Sequence, residues 1–138
     1  MKYMILTYGS QRDYDGMVGQ ASDQSAWSPE DFAAMAAFME AFNTELAEAG
    51  ELVETRALAA PVHARRLGAH NGVPFVTDGP FAETQEVLAG YWIVECDSFD
   101  RATEIAGRLA ECPAPEQVRA NAYADVRPIM ESAAEIPD

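Results

Sequence analysis

Asp78 and His63 are the residues whose types best suit proton transfer: a carboxylate set against an apolar wall as general base, with an imidazole as its partner. Asp78 lies in the densest run of the chain, Asn71 to Glu86, where two turn signals and the carboxylates of Asp78, Glu83 and Glu86 surround a short apolar strand. Gly79, Pro80, Phe81 and Glu83 from the same run, with Tyr8 and Arg65, are the candidate ligand contacts beside Asp78. A plainer reading stands next to the catalytic one. Asp before Gly-Pro can cap a turn by accepting from backbone amides just downstream, and His63 can be an ordinary strand histidine. His63 and His70, seven apart with no nearby Cys or paired acid, define no metal site. No phosphate-cradling glycine loop and no nucleophile elbow occurs, so no metal and no cofactor is implied.

The elements that must position these residues follow from local signals. Lys2 to Tyr8 and Leu88 to Glu95 are apolar on both faces and read as central strands. Gly90 marks a bulge or a close backbone approach in the second of them. Gly9 to Trp27 has little periodicity and reads as a long loop, with Met17, Val18 and Trp27 as apolar anchors able to close over a pocket. Ser28-Pro29-Glu30-Asp31 starts a helix, with Ser as N-cap, Pro in the first turn and acids at the positive end of the dipole. Phe32, Met35, Met39, Phe42 and Leu46 form its apolar stripe, and Gly50 ends it.

Glu51 to Leu58 alternates as a strand, and Val62 to His70 as another, which Asn71-Gly72 turns back into Val73 to Thr77. Arg65 and Arg66 fall on opposite faces of that strand. Asp78-Gly79-Pro80 then forces a corner. Asp97-Ser98-Phe99-Asp100 caps a second helix that ends at Cys112-Pro113. Ala114 to Asn121 reads as a loop, Ala122 to Ile129 as the last strand, and residues 131–138 as a frayed acidic tail of a single domain.

With 138 residues the chain suits one domain that needs neither disulfide nor metal to hold a core. Its net charge of −14 argues against nucleic acid and against anionic membrane surfaces as partners, since both demand a basic patch. The start reads as a strand rather than a signal peptide, and no apolar segment approaches the roughly 18 residues of a membrane span, so the cytoplasm is the expected compartment. Cys96 and Cys112 read as thiols in or near the core.

Strand, helix, strand, hairpin, strand, helix, strand predicts an α+β, ferredoxin-like sandwich with an added β-hairpin. Strands that are apolar on both faces need cover on the face the helices leave bare, and a second copy is its simplest source. The expected partner is therefore the chain itself, as a homodimer.

Met1 to Leu6, the Asp78-Gly79-Pro80-Phe81-Ala82-Glu83-Thr84-Gln85-Glu86 run, the Gly90 to Val94 strand and the Val126-Arg127-Pro128-Ile129 ending together resemble the YCII-related family, in its DGPF subgroup. The resemblance implies a dimeric α+β barrel, two ferredoxin-like sheets packed face to face, in a family whose members are mostly of unknown function. Some relatives are enzymes with a His near the start of the first helix paired to an acid, and others are linked to extracytoplasmic-function sigma factors. This chain has Ser28-Pro29-Glu30-Asp31 at that helix start. Two functions remain in play: a regulatory or ligand-binding homodimer that takes a small molecule in a pocket roofed by Gly9 to Trp27, and a lyase-like or hydrolase-like enzyme using Asp78 with His63 and no metal.

Overall fold

The computed structural model describes residues 1–18, 26–79 and 81–132. Its framework is a four-stranded antiparallel sheet built from β1 (Lys2–Gly9), β2 (Leu52–Ala57), β5 (Val87–Glu95) and β6 (Ala124–Pro128), in the order β2-β5-β1-β6. The two strands that read as apolar on both faces, β1 and β5, are the two central ones. Between the sheet strands run α1 (Gln11–Met17), α2 (Pro29–Glu48), α3 (Phe99–Gly107) and α4 (Glu116–Asn121). A separate hairpin joins β3 (Arg65–His70) to β4 (Val73–Asp78). One chain leaves the sheet open, with β2 and β6 at its edges.

Alternation decides which side of the sheet is dry. Tyr3 and Ile5 of β1 and Trp92 and Val94 of β5 point to the helices, where Phe42 and Leu46 of α2 and Ala102 and Ile105 of α3 complete the core. Trp92 meets Phe42 edge to face at 5.8 Å. On the opposite face Met4 pairs with Ile93 and Leu6 with Tyr91. All four are only half-buried.

The helix at residues 29–48 forms as its cap predicts. Ser28 Oγ accepts from the Asp31 amide and Asp31 returns the bond to the Ser28 amide, each at 3.0 Å, while Gly50 takes the left-handed conformation at φ +74° beyond the end. The hairpin also follows its turn, because Asn71 and Gly72 both have positive φ, 51° and 79°.

Three local readings need correction. Gly9 to Trp27 is not wholly loop: Ser10 and Asp13 make a second reciprocal cap that starts α1. Val62 to His70 is not one strand, because Pro61–His63 forms a 3-10 turn and the strand begins at Arg65. The stretch from Ala114 to Asn121 contains α4 rather than loop alone. The frayed-tail expectation for residues 131–138 lies, beyond Ser132, outside the described residues.

Candidate functional site

The corner around Asp78 is a latch on the hairpin surface. Asp78 and Arg65 are cross-strand partners, and Asp78 Oδ1 accepts from Arg65 Nε at 2.8 Å, with the two side chains 73% and 66% exposed. The carboxylate therefore meets a guanidinium, where a turn cap would have placed it on a backbone amide. His63 is exposed in the 3-10 turn, and among the described residues no hydrogen bond or ion pair joins it to Asp78. Arg66, pointing the other way from Arg65, lays its guanidinium over the Phe81 ring at 4.4 Å.

Gly79 is required by backbone geometry. It has φ +53°, donates its amide to the Ala64 carbonyl at 2.8 Å, and a Cβ there would lie 3.3 Å from the Val62 carbonyl oxygen. Glu83 acts through its carbonyl, which accepts from the Arg12 amide at 3.1 Å. Pro80 lies outside the described residues.

A concave site among the described residues lies elsewhere, at the end of the sheet under α1. Along the helix-facing row, Tyr3, Ile5, Trp92 and Val94 fill the core, but the row ends in Thr7, Gly90 and Ala57, register neighbours with little or no side-chain bulk. Strand spacing is constant, so small side chains there leave space above the sheet. The result is a cavity of about 660 Å³, lined on the sheet side by Thr7, Thr55, Ala57, Gly90 and Trp92 and on the α2 side by Met35, Met39 and Asn43. Of the sequence-predicted contacts, Tyr8 lines it, whereas Asp78, His63, Arg65, Gly79, Phe81 and Glu83 do not.

α1 closes one wall. The Tyr14 hydroxyl donates to the Leu58 carbonyl at 2.9 Å, Gln11 Oε1 accepts from the Val62 amide at 2.9 Å, and the Arg12 amide is held by Glu83. Burial pushes the Tyr14 phenol up from its ordinary pKa, with the Asp13 carboxylate adding to the shift. Met17 and Trp27, two of the apolar anchors expected to close over a pocket, line the cavity. The third, Val18, is 69% exposed.

Polar groups on the inner wall are tied in a definite order. Thr7 donates its hydroxyl proton to the Gly90 carbonyl at 3.2 Å and Thr55 donates to the Tyr91 carbonyl at 2.9 Å. Trp92 Nε1–H donates to Asn43 Oδ1 at 2.8 Å. Tyr8, which lines the cavity, stacks on Tyr123 at 5.3 Å, Tyr8 donating to Asp125 at 2.7 Å and Tyr123 to Glu86 at 2.5 Å. Each carboxylate favours the protonated phenol. Tyr8 is raised from its ordinary pKa by Asp125, and Tyr123 is pushed up to about 12 by Glu86.

A model of the YCII-related domain matches residues 1–132, taking in both the hairpin corner and the cavity. The chain belongs to the YCII-related family. A relative from Rhizobium meliloti (strain 1021), itself an uncharacterised protein, is 33% identical over 110 residues, which is 80% of this chain and 81% of that one. Family membership thus brings a domain type without a reaction. No helix among the described residues of this YCII-related chain is long and apolar enough to cross a membrane.

Of the cavity residues outside the predicted contacts, Thr7, Asn43 and Thr55 carry no motif, and Gly90 reads from the sequence as a bulge or a close backbone approach. Asn43 does sit four and eight residues after Met39 and Met35, on the same helical face, and a polar residue interrupting an apolar stripe is the one signal that was available.

Proposed function

We propose that this YCII-related protein binds a small organic molecule in the cavity beneath α1 and does so as a homodimer. The cavity carries the reading. Its volume of about 660 Å³ falls within the roughly 300–1,000 Å³ usual for ligand sites, and its walls are mostly apolar with a few placed polar groups. Both tryptophans of the chain, Trp27 and Trp92, face it.

Dimerisation is supported by what one chain leaves bare. Met4, Leu6, Tyr91 and Ile93 make a contiguous half-buried patch on the sheet face away from the helices. The hairpin exposes Leu67, Val73 and Val76 at 70%, 65% and 61%. An isolated hairpin is only marginally stable, so an arm with this much exposed apolar surface favours a partner. In the proposed dimer two such sheets face each other, the dimeric barrel of ferredoxin-like halves that the family resemblance implies. The Asp78-Gly79-Pro80-Phe81 run supports placement in the DGPF subgroup.

The test is thermal denaturation across a panel of small metabolites, combined with light scattering. A ligand at about 100 times its Kd raises stability by about 2.7 kcal/mol. A panel without a single shift would remove the binding reading, and a monomer at micromolar concentration would remove the dimer.

A further inference from the structure

Where the sheet faces α2, the cavity wall carries a side-chain donor group whose orientation is determined. An indole N–H can only donate, so Trp92 Nε1–H at 2.8 Å requires Asn43 to present Oδ1 to it. The Asn43 NH2 group must then point the other way, and neither of its hydrogens has a partner among the described residues. Thr7 and Thr55 have already committed their hydroxyl protons to the Gly90 and Tyr91 carbonyls, so on this wall they offer acceptor lone pairs only. Arg56 is engaged with the Thr55 carbonyl at 2.9 Å and with Glu54.

The Asn43 amide also stands at the end of an apolar track. Met35, Met39 and Asn43 follow one another at intervals of four on α2, and all three line the cavity. Trp92 stands opposite on β5, and Gly90 beside it leaves the floor open. A ligand whose apolar body lies along the methionines and the indole brings its end group to two N–H donors. An acceptor there satisfies them, whereas a hydrocarbon leaves them unpaired.

We propose that Asn43 selects ligands with an apolar, ring-containing body that ends in a carbonyl oxygen, as an amide or a carboxylate. This rests on the small-molecule reading above and adds the head-group chemistry to it. The head-group contact is made by Asn43 Nδ2, and Trp92 is a positioning residue that holds the amide in the required orientation.

The experiment is a titration of the full chain, labelled with nitrogen-15 and followed by two-dimensional NMR. The probes are naphthalene-2-carboxamide, naphthalene-2-carboxylate and 2-methylnaphthalene. At least one carbonyl probe is expected to bind about 10-fold more tightly than the hydrocarbon, the discrimination that one well-made hydrogen bond supplies. The two Asn43 side-chain NH2 signals should shift with that probe and stay in place with the hydrocarbon.

Asn43→Asp keeps an acceptor for Trp92 and removes the donors, so it should abolish the preference for the carbonyl probes over the hydrocarbon. If that variant does not fold, the wild-type NH2 signals decide. Equal affinity for all three probes, or a carbonyl probe that leaves the Asn43 signals unmoved, overturns the inference and leaves the binding reading intact. Failure of all three to bind overturns the inference, and the binding reading falls with it only if the metabolite panel also gives no shift.

Discussion

The hairpin corner and the cavity under α1 hold similar kinds of residue and use them in opposite ways. At the corner Arg65 and Asp78 satisfy each other in solvent, and Arg66 covers Phe81. At the cavity Asn43 is partly enclosed and keeps its NH2 donors unengaged. A charged pair in water gains little beyond what solvent already gives each partner, while the half-buried Asn43 amide keeps donors for a ligand that displaces water from it. Residue type makes the corner look chemical. Enclosure and unmet hydrogen bonding are what the proposed binding reading rests on in the cavity, and the corner contributes to its α1 wall through Val62 and Glu83.

Substitutions can break that contrast. The largest effect is expected for Trp92→Ala, which removes a 7% exposed ring from its contact with Phe42 and frees Asn43. A loss of about 3–5 kcal/mol is expected for such a truncation in chemical denaturation. A loss below about 1 kcal/mol would mean that the cavity wall is not continuous with the core. Next comes Gly79→Ala at the corner. A Cβ at φ +53° with the Val62 carbonyl nearby should cost about 1–2 kcal/mol, with ligand affinity unchanged.

A third measurement concerns the Tyr123–Glu86 pair beside the cavity. Tyr123 has its pKa raised in the folded state, to about 12, so its bond to Glu86 is fully present below the unfolded tyrosine value of about 10 and is lost as pH rises through about 12. Ultraviolet titration should show the latest of the raised phenols disappear in Tyr123→Phe and move earlier in Glu86→Gln. A phenol titrating near 12 that persists unchanged in both variants contradicts the pairing.

The smallest effect is expected for Asp78→Asn. The Arg65 pair is exposed on both sides, so the loss should stay within about 1 kcal/mol and ligand affinity should not change. A variant that keeps its stability yet loses binding would return the site to the corner.

Much of this was legible residue by residue. Ser28 and Asp31 announce the long helix, and Asn71-Gly72 the hairpin, because caps and turns are decided within four residues. The central places of β1 and β5 follow from their apolar residues on both faces. α1 escaped because, although it starts with the same Ser-x-x-Asp box as the long helix, it is only seven residues long, contains Gly16 and carries no apolar stripe; α4 escaped because it is short and begins without a side-chain cap. The strand assigned to Val62 failed because the Pro61–His63 turn lies inside a stretch whose alternation looks unbroken.

The amino-acid sequence by itself determined the main helices, the turn, the central strands and the family, since each rests on neighbours in the chain or on a pattern of side chains. Only the tertiary structure decided that Thr7, Ala57 and Gly90 meet in one row, that Trp92 turns the Asn43 amide, and that Asp78 meets Arg65 rather than His63. Those relations depend on strand register and on which face a helix presents. A cavity is made by residues that are small in the same place, and sameness of place is not written along the chain.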